Sequence, residues 1–181
     1  MKQTLLSLVF SFGLFFLLGL GGCAADPPQA TSFEDCLYGA PEPIFDGSVR
    51  GVSKHQFELR PGMGIERFVL NQATQVRIEQ TGCDQLQQRF TFSWDAGTGS
   101  KNNTYWSEQA ILKYQELGEL GAPYLSFSAI SEVLQKKQNQ LTPRGEAIVL
   151  QPGLYFRIEQ AQQGQRAELV TLLYESTASG N

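Results

Sequence analysis

The chain contains one histidine, His55, in the alternating run "HQFELR". Imidazole is the side chain best suited to moving protons near neutral pH. Here it shares strand parity with Phe57 and Leu59, which points to a half-buried structural histidine rather than a general base. A single histidine cannot build a His-rich metal site or an HExxH helix, and no GxSxG elbow occurs. Glu116 and Glu119 form a carboxylate pair of the kind used in glycoside chemistry. Three residues apart on a helix, they read instead as a solvated face. Asp95 opens "DAGTGSKNN" (Asp95–Asn103), which carries a lysine among glycines. It lacks the GxxxxGK[ST] spacing of a phosphate loop. Gly97 and Gly99 stand where a calcium loop needs oxygen ligands.

Asp95-Ala96-Gly97 faintly resembles the Asp-Thr/Ser-Gly of aspartic proteases, in which two carboxylates share a proton. Ala96 replaces the hydroxyl residue, and Asp46-Gly47-Ser48 is a weak second half. The segment therefore reads as a strand-to-helix connection, and Asp95 is the residue to suspect only if the chain is a hydrolase. Tyr105 and Trp106 follow this loop and are the candidate binding residues, since Tyr and Trp are favoured at binding hot spots. The alternative is that Trp106 anchors a helix to a sheet. No catalytic residue, metal ligand or cofactor is expected.

Periodicity supplies the elements that must position these groups. "HQFELR", "RFVL" (Arg67–Leu70), "TQVRIEQ" (Thr74–Gln80) and "RFTFSW" (Arg89–Trp94) alternate as strands, the last with Phe90, Phe92 and Trp94 inward. "EAIVLQPG", "GLYFRIEQ" and "AELVTLLYE" predict three more near the C-terminus. Between the two groups lie two amphipathic helices. "TYWSEQAILKYQELGEL" carries Trp106, Ala110, Ile111, Tyr114 and Leu117 on one stripe, with Asn103, Thr104 or Ser107 as caps. "SFSAISEVLQKKQNQL" carries Ile130, Val133, Leu134 and Leu141, with Ser128 as N-cap and Lys136 and Lys137 in the last turn. The expected fold class is α+β: a mostly antiparallel sheet of about six or seven strands, with two helices packed on one side. A sandwich or barrel with the helices as a lid is the alternative.

"RIEQTGCDQLQQRFTFSW" (Arg77–Trp94) aligns without gaps on "RIEQAQQGQRAELVTLLY" (Arg157–Tyr174). "FELRPG" (Phe57–Gly62) echoes "IVLQPG" (Ile148–Gly153). Two readings stay open: a duplicated strand–turn–strand unit, or two hairpins sharing the grammar of amphipathic strands.

The N-terminus fixes the expected location. Lys2 precedes an apolar run, Leu5 to Leu20, in the form of an export signal. Leu20-Gly21-Gly22-Cys23 resembles the lipobox of bacterial lipoproteins. The resemblance implies cleavage before Cys23, with diacylglycerol (palmitate among the acyl chains) on its sulfur. Ordinary cleavage after Ala24 or Ala25, or a retained signal anchor, are the alternatives. Ala24 after the cysteine implies an outer-membrane address facing the periplasm in a Gram-negative envelope. With Cys23 lipidated, Cys36 and Cys83 remain as a disulfide pair suited to an oxidising compartment, the alternative being two buried thiols.

Residues 1–22 are thus expected to be a signal peptide, 23–35 a flexible proline-containing tether, and 36–181 a single domain. Without residues 1–22, 13 basic residues face 18 acidic ones, because only Lys2 is lost. That balance, with scattered Lys and Arg, excludes a nucleic-acid footprint. The expected function is that of a lipid-anchored cell-envelope protein with a non-catalytic soluble domain that binds a protein, lipid or glycan partner. The alternatives are an envelope hydrolase using carboxylates and an inhibitor of a cell-wall-degrading enzyme acting through Thr98–Trp106.

Overall fold

The computed structural model describes Phe33, residues 36–99 and residues 101–176. The expected signal segment, Cys23 and all of the tether except Phe33 lie outside the described residues. Seven strands form where alternation is strongest: β1 (Val52–Arg60), β2 (Met63–Leu70), β3 (Thr74–Thr81), β4 (Gln87–Trp94), β5 (Ile148–Gln151), β6 (Leu154–Gln163) and β7 (Ala167–Glu175). They make one sheet in the order β1-β2-β3-β4-β7-β6-β5, with every neighbouring pair antiparallel. Helices α1 (Asn103–Gly118) and α2 (Leu125–Lys136) pack on one face. The α+β architecture is the expected one, and a single sheet replaces the sandwich alternative.

Alternation dictates this layering. Val76 and Ile78 on β3, Phe90 and Phe92 on β4, and Phe156 and Ile158 on β6 are buried toward the helices. Trp106, Ala110, Tyr114 and Leu117 of α1 complete the core, as their spacing predicts. Tyr114 packs edge-on against Phe92 and Phe156, and its hydroxyl bonds the Thr171 hydroxyl at 2.9 Å. Burial alone pushes its phenol well above the usual tyrosine range, with the Thr171 bond opposing.

The cap assignments need correction. The N-cap of α1 is Asn102, one residue before the earliest candidate; its backbone is extended and its side chain accepts the Tyr105 N–H at 2.9 Å. Ser107 lies inside the helix and donates to the Thr104 carbonyl. Helix α2 starts at Leu125, three residues before Ser128, because the 3₁₀ turn Ala122–Tyr124, led by Pro123, runs straight into it. Ser128 instead faces Gly118, so closely that a Cβ at 118 would lie 2.0 Å from the Ser128 oxygen. The helix also ends at Lys136, well before Pro143, and a second 3₁₀ turn carries the chain to buried Leu141.

The two aligned segments do form the hairpins β3–β4 and β6–β7. Strand β6, however, carries a bulge between Ile158 and Gln160, absent from β3. An extra residue reverses side-chain parity. Phe90, Phe92 and Trp94 therefore face the core, whereas their counterparts Val170, Leu172 and Tyr174 face the other side. The two Pro-Gly turns also lead into different strands, β2 and β6. Arg77 and Ile78 take the same faces as their counterparts Arg157 and Ile158, but past the bulge the aligned residues do not.

One end of the sheet gathers the β1–β2, β3–β4 and β5–β6 turns and the end of β7. Cys36 is bonded to Cys83 at this end, with 4.6 Å between Cα atoms, and the Tyr38 hydroxyl bonds Glu175. The opposite end gathers the β2–β3 turn, the Asp95–Asn102 connection and the β6–β7 turn.

Candidate functional site

His55 is half-buried, as its parity predicts, and its Nε2 lies 2.7 Å from Glu66 Oε1. Glu66 is fully buried beneath residues 44–46, a carboxylate that sequence reading passed over. The Phe45 N–H also reaches Oε1 and the Ile44 N–H reaches Oε2, both at 2.9 Å. A buried carboxylate without such donors would be heavily penalised. Nearby Asp46 accepts the Ser48 N–H at 2.8 Å, which holds its carboxyl below the usual range, and the charge of His55 adds to the effect. This cluster uses its acceptors to fasten the 44–48 segment across β1 and β2.

Asp95 is exposed and accepts the Gly97 N–H, while Lys101 caps the Ala96 carbonyl. The loop closes on itself as a connection. Glu116 pairs with Lys113 at 3.0 Å, and buried Lys113 also donates to Thr74 and lies over the Trp94 ring. Glu119 accepts from Gln115. Both glutamates border a polar cavity of about 580 Å³ shared with Arg50 and Asn71. Among the described residues, no group of three or more His, Cys, Asp or Glu side chains is placed to hold a metal ion. Trp106 is buried edge-on against Trp94, so it anchors α1 to β4, while Tyr105 stays half-buried beneath the Lys101 ammonium.

The largest concentration of charge is on the face of the sheet away from the helices, and sequence reading missed it as a surface. Cross-strand pairing defines its rows. The central row reads Glu58, Ile65, Glu79, Arg89, Leu172, Arg157 from β1 to β6. The next row toward the disulfide end reads Arg60, Met63, Thr81, Gln87, Tyr174, Tyr155. Six of the eight arginines of the chain reach this face: Arg60, Arg67, Arg77, Arg89, Arg157 and Arg166. Four glutamates, 58, 79, 159 and 168, accompany them.

Glu159, on the β6 bulge, bonds Arg89 at 2.8 Å and Arg157 at 2.7 Å; Glu79 serves Arg77 and lies 3.9 Å from Arg89. The glutamates at 79 and 159 are recessed, with side chains 20% and 15% exposed, whereas the Arg89 side chain is 49% exposed. Guanidinium groups therefore stand outward of these two carboxylates, while Glu58, with its side chain 47% exposed, is as open as the arginines. Hydrogen bonds from Arg60 hold Glu58 below the usual carboxylate range. Between the charges, Met63, Leu172 and Tyr174 line a groove of about 350 Å³, and Tyr155 stacks on Tyr174.

The signal that could have revealed this face was available: the arginines and glutamates of β2, β3 and β6 alternate with core residues. Compared with protein-family models, curated proteins and solved structures, the chain matches none of them.

Proposed function

We propose that this chain is a lipid-anchored cell-envelope protein whose soluble domain acts by binding, through the open face of its sheet, and not by catalysis. One observation carries the binding surface: an acidic chain places six of its eight arginines, together with tyrosine, methionine and leucine, on one uncovered face. Arg, Tyr and Met are enriched at interfaces, where guanidinium groups offer planar hydrogen bonding and aromatic stacking. The location rests on Leu20-Gly21-Gly22-Cys23 and fits an oxidised Cys36–Cys83 pair. Among the described residues no helix is long and apolar enough to cross a membrane, so in this reading the acyl chains on Cys23 do the anchoring. Asp95, the carboxylate that the sequence singles out for a hydrolase, accepts a hydrogen bond from its own loop.

Arginine-directed labelling tests the surface. Phenylglyoxal is applied to the protein in intact envelopes and after purification, with peptides quantified by mass spectrometry. Arg60, Arg89 and Arg157 are expected to be several-fold protected in the envelope. Exposed Arg50 and Arg144, off this face, serve as controls and should react alike in both samples. Equal reactivity at all five positions would remove the open face as the binding surface. The intact mass of the processed chain tests the anchor.

A further inference from the structure

The pattern of the open face is self-complementary, and we infer that its occupant is a second copy of this chain. This deepens the binding reading above and rests on it. The central row runs acid–apolar–acid across β1, β2 and β3 and base–apolar–base across β4, β7 and β6. Two copies can pair face to face about a two-fold axis parallel to the strands and passing between β3 and β4. Each strand then meets the strand equally far on the other side of the axis. Glu79 faces Arg89 of the second copy and Glu58 faces Arg157, each pair occurring twice, while Leu172 lies opposite the position of Ile65, which its own neighbours already bury. Such reciprocity is what a two-fold interface requires.

The flanking rows agree. Arg60 faces Tyr155 of the second copy, a cation–π arrangement, and Met63 faces Tyr174, a sulfur–aromatic one. Arg67 and Arg77 face Val170 and Thr91, Val69 faces Glu168, and nowhere in the rows do like charges fall opposite. A uniform polyanion fits less well, because Glu58 and Glu79 are two of the four charged residues in the central row. Six strands at ~4.8 Å spacing and eight residues at ~3.4 Å offer about 24 Å by 27 Å. That approaches the roughly 800 Å² per partner of a standard interface. Packed sheets rotate by about 30°, which displaces the outermost pairs by a few ångströms, within reach of glutamate and arginine side chains.

The axis direction carries a second consistency. Rotation about a line parallel to the strands leaves both Cys36–Cys83 ends pointing the same way, so two acylated N-termini can enter one bilayer. Confinement to that bilayer raises effective concentration and favours an otherwise weak pairing.

The test uses the full chain in its own envelope. A photo-crosslinking amino acid replaces Gln87, exposed beside the axis. Irradiation is expected to give an adduct of twice the chain mass, joined to a peptide containing Thr81. Glu58→Arg and Arg157→Glu should each lower its yield several-fold, and the double variant should restore it. Five strand spacings, about 24 Å, separate these residues within one chain, well beyond the ~8 Å screening length. Rescue must therefore act between chains. Both side chains are nearly half exposed, so the reversals leave the fold intact, which a thermal melt checks. An adduct with a different protein, or a double variant that stays low, overturns self-pairing and leaves the open face as a docking surface. The absence of any adduct overturns both.

Discussion

Glu66 occupies a core position on β2, and a charge there is stable only because two backbone N–H groups and His55 converge on it. Replacement by Gln keeps the volume but turns an NH2 group toward one of these donors. Glu66→Gln is expected to lower stability by about 1–3 kcal/mol in urea denaturation and to speed amide exchange at Ile44 and Phe45. An unchanged denaturation midpoint would show that the carboxylate contributes nothing. Asp46 acts through pH. Its carboxyl is held below its ordinary value of 3.8, chiefly by the Ser48 N–H, so it favours the folded state above that value. The contribution fades as pH falls through the lowered folded value. The drop in Tm between pH 6 and pH 2.5 should thus be smaller in Asp46→Asn than in the parent. The half-burial of His55 was legible from its parity with Phe57. Its partner was not, because Gly64 and Glu66 interrupt the apolar alternation of "MGIERFVL", and only "RFVL" reads as strand.

At the level of elements, the helix pair depends on one close approach. A side chain at position 118 would collide with the backbone nitrogen and hydroxyl of Ser128. Gly118→Ala is therefore expected to cost about 1–3 kcal/mol through overpacking, despite the better helix propensity of alanine. A stabilised variant in a thermal melt would contradict this contact. Asn102→Ala removes the side-chain cap of α1 and should cost about 1 kcal/mol, whereas Asn103→Ala should be nearly silent. The helical stripes and hairpins were readable because their periods are strong. The bulge in β6 was not, since one inserted residue changes which way Val170, Leu172 and Tyr174 point without changing composition. That single residue moves three apolar side chains from the core to the open face, and the binding surface depends on it.

For the molecule as a whole, the α+β layering follows from local pattern, but the placement of β7 beside β4 does not. These strands are joined by no turn, and only the packed structure brings Arg89 next to Leu172 and Glu159. The open face is consequently a product of long-range pairing, invisible in any short window. The Cys36–Cys83 bond also acts at this scale. Its removal by Cys36→Ser with Cys83→Ser should lower the stability of the domain by about 3–4 kcal/mol in the chain-entropy account of a 47-residue separation. A denaturant midpoint that did not move on reduction would argue against the bond.

Chain entry at Cys36 and chain exit after Glu175 share one end of the sheet, tied through Tyr38. If the proposed acylation of Cys23 holds, this has a practical corollary. Under the anchoring proposed at Cys23, a reporter attached after the last strand would sit at the membrane-proximal end of the domain, whereas a short epitope spliced into the loop at Gly97–Gly99 would sit at the far end.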